Sequence, residues 1–254
     1  MSRPAANSVA ARRQTVYGDT PPGVRPWDAC DSRNVKPLKL PIHREGWPFI
    51  GIAVLANAIL FAFAGWWGLL LLPVTLWTMA FFRDPERRPP DGANSILSPA
   101  DGRLLPVVRA APPAELGLGE RQRVRLSIFM NVFDVHVNRI PCNGTVEKLA
   151  YRPGKFINAS FDKASEANER MAIRLRLPRD GADRDLAVVQ IAGLIARRIK
   201  CYLKEGEAVC RGERFGIIRF GSRLDVYLPE GARVLAREGQ QVKAGETVLA
   251  DFPV

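Results

Sequence analysis

An α+β fold, mainly β and preceded by an apolar helical hairpin, is predicted by three features of the chain. Residues 49–82 run for 34 positions without a charge, a length over which no soluble helix needs to be apolar all round. From about residue 83 the pattern changes to short apolar runs that alternate or are rich in β-branched residues, with turn signals between them. One of the last of these runs opens on a Gly-Ser pair, Gly221-Ser222, with 33 residues from Ser222 to the C-terminal end.

Taken in order, residues 1–45 are polar, basic and rich in Pro and Gly, with Pro21-Pro22-Gly23, and predict a mobile tail with no signal peptide. Residues 46–82 predict a membrane-associated hairpin. A single helix over the 34 uncharged residues would be about 50 Å long, against a hydrocarbon core of about 30 Å. Gly65 and Gly68 bracket Trp66-Trp67 at the point where two short arms would bend, although Pro73 complicates the second arm. Both flanks are basic, with His43-Arg44 before and Arg83, Arg87 and Arg88 after, so a hairpin returning to the cytoplasmic face satisfies the positive-inside tendency. One tilted span and a buried soluble hairpin are the alternatives.

Residues 83–254 form the third unit, entered through the Pro-rich break at 84–92. Strands are predicted over 124–129, 171–177, 186–191 and 225–228. Residues 195–202 are ambiguous between strand and helix, and 163–170 read as a short helix or loop. Near the end, 209–216 and 242–249 look like one strand-turn-strand unit used twice.

The bulk composition, 47% hydrophobic and 25% charged over 254 residues, is that of a folded protein with a sizeable core. A net charge of +11 calls for an anionic partner. No nucleic-acid-binding motif is present, and beside the apolar segment an anionic lipid surface fits the charge better. Cys30, Cys142, Cys201 and Cys210 contain no Cys-x-x-Cys pair, and His43 and His136 are the only histidines. No metal site is therefore expected, and the scattered cysteines suggest a reducing compartment.

Gly-Ser alone is a common turn dipeptide. Around it stand Ser98-Pro99-Ala100-Asp101-Gly102, the run Met130-Asn131-Val132-Phe133-Asp134-Val135-His136-Val137-Asn138-Arg139, Pro153-Gly154-Lys155-Phe156, Asn158-Ala159-Ser160 and Phe220-Gly221-Ser222-Arg223. In this order, these stretches resemble the short bacterial and archaeal branch of the pyruvoyl-dependent phosphatidylserine decarboxylases, from about residue 82 to 254. The strand-turn-strand pair is similar to the units of biotinyl and lipoyl barrel-sandwich domains, which that family's core is said to resemble.

The resemblance implies a proenzyme. Ser222 Oγ attacks the Gly221 carbonyl, and the resulting ester is eliminated and hydrolysed to leave a pyruvoyl group at position 222 with loss of ammonia. The products are chains 1–221 and 222–254, a heterodimer from one precursor. The ketone then forms a Schiff base with the amine of phosphatidylserine and accepts the electrons freed as carbon dioxide leaves, giving phosphatidylethanolamine with no pyridoxal phosphate and no metal. The implied setting is the cytoplasmic face of the cell membrane, with no nucleic-acid partner.

The catalytic set implied is Ser222, His136 and Asp101. Longer bacterial members carry two histidines three apart where this chain has His136 and Arg139, so the histidine usually given to the self-cleavage triad is missing. Three alternatives stay open: His136 serves maturation, or later protonation, or both, with Asp101 acting more directly in the second case. Asp134 alternates with His136 along a predicted strand and could orient its ring. Arg139, Lys155 and Arg223 are candidates for substrate phosphate or carboxylate. Two rival readings are a pyruvoyl decarboxylase of a soluble amino acid, which gives no reason for the apolar segment, and a non-enzymatic membrane-tethered biotinyl or lipoyl-type module, which lacks the modifiable lysine at a hairpin tip.

Overall fold

The computed structural model describes residues 41–92, 94–157, 164–178, 185–193, 198–219 and 222–252. Most of the predicted tail, the Asn158-Ala159-Ser160 stretch, Phe220 and Gly221 lie outside the described residues. The architecture is α+β and mostly β, with an apolar helical segment at the N-terminal side.

That segment consists of α1 (Trp47–Ala64), a 3-10 turn (Gly65–Leu71) and α2 (Leu72–Phe81). Pro73 falls in the first turn of α2, where its missing N–H has no intrahelical acceptor to lose. Gly65 closes α1 at φ 56°, a conformation costly for residues with a Cβ. Beyond it the chain doubles back. Asn57 Nδ2 donates to Thr75 Oγ1 across the two arms, and a Cβ on Gly68 would lie 2.6 Å from Phe61 Cα. The ends meet at the base, where His43 N donates to Phe82 O at 2.8 Å and the Phe49 and Phe82 rings stack with centroids 5.3 Å apart. Phe63, Trp66 and Trp67, at the far end, are 89%, 80% and 71% exposed. By contrast, Phe81 and Phe82 are buried with Val135, Val137 and Ile217, so the residues on either side of position 82 belong to one packed cluster.

The larger sheet has nine strands, all antiparallel. At its centre β12 (Ser222–Tyr227) runs between β8 (Asp185–Ala192) and β4 (Arg123–Met130). Outward from β8 follow β7 (Arg170–Arg176), β6 (Gly144–Arg152) and β10 (Ala208–Val209). Outward from β4 follow β2 (Gly102–Leu104) and β14 (Gln241–Val242), with β3 (Val108–Ala110) also on β4. A second sheet orders β5 (Val137–Arg139), β11 (Arg214–Arg219) and β9 (Arg198–Cys201). A third orders β1 (Ser95–Leu97), β15 (Val248–Asp251) and β13 (Arg233–Val234).

The four strands predicted from alternation or β-rich composition are β4, β7, β8 and β12. The ambiguous 195–202 stretch yields β9, and the 163–170 stretch yields a single helical turn, α3 (Ala164–Ala167). Along β12, Leu224 and Val226 enter the main core while Tyr227 joins a smaller cluster on the opposite face. A one-residue slip would drive Arg223 and Asp225 into the apolar face, which fixes the register of the strand that carries Ser222.

One local expectation is corrected. Asp134 and His136 do not share a strand: β4 ends at Met130, residues 131–134 turn, and β5 begins at Val137. Asp134 N donates to Asn131 O at 3.1 Å, Asn131 Oδ1 accepts from Phe133 N at 2.7 Å, and Asp134 Oδ2 accepts from Asn131 N at 2.9 Å. Short amide and carboxylate side chains offer the backbone these local partners in place of a ladder. In the C-terminal stretches a turn between β10 and β11 closes through Glu213 and Cys210, and one between β14 and β15 through Thr247 and Lys243, with the two strands on either side of each turn in different sheets.

Candidate active site

Ser222 opens β12 opposite Met130 of β4 and Ala192 of β8. It is fully buried, and among the described residues its Oγ has no hydrogen-bond partner. An orphaned hydroxyl in such a place is costly, so its retention points to chemistry. The strand itself is anchored from its other face. Asp225, fully buried, accepts from Arg223 Nε at 2.6 Å and from Ser165 Oγ at 2.9 Å, and Arg223 also donates to Ser127 Oγ at 2.9 Å.

His136 follows the turn after β4 and directly precedes β5. Its Nδ1 lies 3.0 Å from the Asp134 carbonyl oxygen. A carbonyl only accepts, so Nδ1 carries the proton and Nε2 is the basic nitrogen. The backbone of Asp134, not its carboxylate, therefore orients the ring; the carboxylate caps the turn and takes a contact from Gln241 at 3.3 Å. Phe81, the last residue of α2, covers the imidazole with ring centroids 4.1 Å apart. Burial pushes the His136 pKa down to about 4, helped by the charge of Arg83 and opposed by the bond to the Asp134 carbonyl.

Asp101 sits in the loop before β2. Gly102 has φ 150°, and a Cβ there would lie 2.2 Å from Phe129 O, so only glycine lets this loop close onto β4. Asp101 Oδ1 accepts from Ala244 N at 2.7 Å and Oδ2 from Arg87 at 2.7 Å. Burial raises its pKa, and these two donors oppose the rise. Arg139 N donates to Pro99 O at 2.8 Å, which ties the Asp101 loop to β5. Asp134 and Arg83 are close enough to shift Asp101 electrostatically, and Arg83 also acts on His136. Two motifs far apart in sequence are thus neighbours.

The three cations considered for substrate differ. Lys155 is exposed. Arg139 is buried, donating to Gly212 O at 2.9 Å, Pro85 O at 2.7 Å and Asp84 at 3.3 Å, and Arg223 is held by Asp225 and Ser127. Among the described residues no group of three or more His, Cys, Asp or Glu could hold a metal ion. Cys142 and Cys201 carry free thiols that burial pushes up to about 12 and about 11, which leaves them inert near neutral pH.

A family model described as phosphatidylserine decarboxylase matches residues 74–250. The chain belongs to the phosphatidylserine decarboxylase family. It is 52% identical over 219 residues to the phosphatidylserine decarboxylase proenzyme of Azorhizobium caulinodans, covering 86% of this chain and 92% of that protein. The proenzymes of Paramagnetospirillum magneticum and Nitrobacter winogradskyi are each 54% identical, over 85% and 87% of this chain and 89% and 88% of their own lengths.

This decarboxylase family is pyruvoyl-dependent, and the buried Ser222 Oγ, unpartnered among the described residues, fits a residue that is to be converted into that group. Two polar residues at the site escaped sequence reading. Arg87, the partner of Asp101, was read only as a basic flank. Gln190 stands in an otherwise apolar run at an inward position, between Val188 and Ala192, and that interruption was a signal available in the sequence.

Proposed function

We propose that this chain is a membrane-associated proenzyme that cuts itself between Gly221 and Ser222 and then converts phosphatidylserine to phosphatidylethanolamine. The observation that carries this reading is the buried Ser222 Oγ at the head of the central strand, without a hydrogen-bond partner among the described residues.

In maturation, Nε2 of His136 takes the Oγ proton as Ser222 attacks the Gly221 carbonyl. The oxygen–carbon bond forms, the peptide carbon–nitrogen bond breaks, and the freed nitrogen takes up a proton. A neutral imidazole is the form required, and burial under Phe81 keeps it neutral. Loss of the Cα proton and expulsion of the Gly221 carboxylate, followed by hydrolysis with release of ammonia, leave the pyruvoyl group at position 222. Asp101, held by Arg87 and Ala244, supplies negative charge beside the His136 segment and stabilises the imidazolium formed in the transfer.

The pyruvoyl ketone supplies an electrophilic carbonyl for the substrate amine and a sink for the electrons released with carbon dioxide. Ser222 carries it, with Met130 and Ala192 on either side. His136 takes up the proton that the substrate ammonium gives up on reacting and delivers it to the decarboxylated carbon. Lys155, exposed, is assigned to the substrate phosphate. Arg139 and Arg223 support the site from within, Arg139 by fixing the Asp101 loop and Arg223 by holding β12.

The substrate arrives from the bilayer. The apolar segment Arg44–Phe81 is long enough to enter a membrane, with an 18-residue stretch of it only 6% buried, and its last residue covers His136. We place the protein on the cytoplasmic face of the cell membrane, with its hairpin inserted and chains 1–221 and 222–254 held as a heterodimer. The paired C-terminal turns support a barrel-sandwich element of the biotinyl and lipoyl kind. Intact mass tests the central claim: purified protein should resolve on denaturation into two chains, the smaller blocked at its N-terminus by a ketone. An uncut polypeptide with full activity would overturn it.

A further inference from the structure

Gln190 is fully buried at an inward position of β8, two residues from Ala192, the partner of Ser222 across the sheet. Same-face diagonal neighbours on adjacent strands lie about 7–8 Å apart, within reach of a long side chain. Its Nε2 donates to Asn138 Oδ1 at 2.8 Å. Asn138, also fully buried, belongs to β5 in the second sheet, and its Nδ2 lies 3.8 Å from Sδ of Met130, the other strand partner of Ser222. Above them β11 passes so closely that a Cβ on Gly216 would sit 3.0 Å from Gln190 Nε2. The two amides thus arch between the sheets beside residue 222.

One end of the Gln190 amide is tied and the other is spare, since among the described residues Oε1 is buried without a partner. Ser222 Oγ, on the same face, is the second unpartnered polar atom there. Conversion of Ser222 to a ketone removes its hydroxyl donor and leaves two acceptors on one buried face of adjacent strands. Both lack an N–H, and a primary amine brings that group.

Resting on the function proposed above, we infer that Gln190, held by Asn138, receives an N–H of the substrate amine and positions it at residue 222. The amide is an amine-reading element of the site, distinct from the proton-transfer role of His136. It also gives the site a preference for primary amines over neutral headgroups of similar size.

The test separates delivery of the amine from reactivity of the ketone. Full-length Gln190→Met, which keeps the volume but loses the amide, should self-cleave to the same two masses as wild type. Direct borohydride reduction of residue 222, which involves no amine, should proceed within about two-fold of wild type. Covalent attachment of phosphatidylserine to residue 222 under cyanoborohydride should slow by about 10- to 100-fold, the scale of a lost hydrogen bond to a charged or charging group. Equal attachment rates in wild type and variant would overturn the inference, as would parallel loss of both reductions or an uncut variant. Should Gln190→Met be recovered unfolded, Gln190→Glu, which retains an acceptor, is expected to attach the amine within about five-fold of wild type; a loss shared by both reductions there overturns the inference equally. Wild-type protein that neither cleaves nor attaches the lipid would refute the function itself, a separate outcome.

Discussion

With His136 as the base proposed for self-cleavage, the pH dependence of that step should report the state of its imidazole, and Phe81 offers a way to change it. The imidazole is fully buried, its ring 4.1 Å from that of Phe81, and its pKa falls from 6.5 to about 4. That difference corresponds to roughly 3 kcal/mol against the charged form. A base that stays neutral to about pH 4 should give a cleavage rate that is flat from about pH 8 to 5 and falls only below that. Replacing Phe81 by Ala opens the ring to water, so the midpoint should rise by about one unit or more towards the ordinary imidazole range. The same change removes a buried aromatic side chain at a cost of about 3–5 kcal/mol, so Phe81→Leu, which keeps most of the packing, serves as the control. Proenzyme made by cell-free synthesis into lipid nanodiscs can be followed by the intact mass of the 33-residue chain at each pH, with circular dichroism confirming the fold. The confirmation is needed because His136 also weakens folding in acid. Between pH 6.5 and about 4 the unfolded chain binds a proton that the folded one does not, so stability present above 6.5 is lost as pH falls through this window. A wild-type midpoint near 6.5, or one that Phe81→Ala leaves unmoved, would refute the assignment of His136 as a buried neutral base.

Three further outcomes are expected. Ser222→Ala should remain a single chain by intact mass and attach no lipid amine, and attachment found on a lysine would replace the pyruvoyl mechanism. Asp84 is 1% exposed and accepts from Arg214 at 2.7 Å and Arg139 at 3.3 Å; Asp84→Ala removes the carboxylate these two arginines share and should cost about 3–5 kcal/mol, read from denaturant midpoints in detergent. Full-length protein should sediment with membranes and require detergent for release, and a detergent-free soluble form would mean that the apolar arms are covered by something other than lipid.

Where side-chain period alone decides, the sequence was legible. β4 and β7 alternate, β8 is a β-rich apolar run whose two faces enter two buried clusters, and the uncharged run at 49–82 reads as helical and apolar. Periodicity failed at 131–136 because Asn131 and Asp134 supply local hydrogen bonds that outcompete a ladder, and no hydropathy pattern registers that competition. Among the candidate residues, Ser222, His136 and Asp101 were nameable from motifs. Their environment was not, because it depends on contacts remote in sequence: Phe81 over His136, Arg87 on Asp101, and Asp225 holding Arg223. The internal pairing of Arg139 with Asp84 is of the same kind, since a lone arginine in a sequence looks equally suited to a ligand or to an aspartate 55 residues away.

The central place of β12 carries a consequence for the life of the molecule. Six consecutive residues of this strand pair on both sides with strands of the other segment, so a cut just ahead of Ser222 leaves the daughter chains interlocked without any rearrangement. Folding belongs to the precursor alone. Once severed, a melted molecule would have to recover its middle strand by collision between two separate polypeptides, and the shorter one holds too little apolar surface to wait in a folded form. The mature protein is therefore long-lived only as long as it never opens, and its durability is a matter of unfolding rate, not of equilibrium.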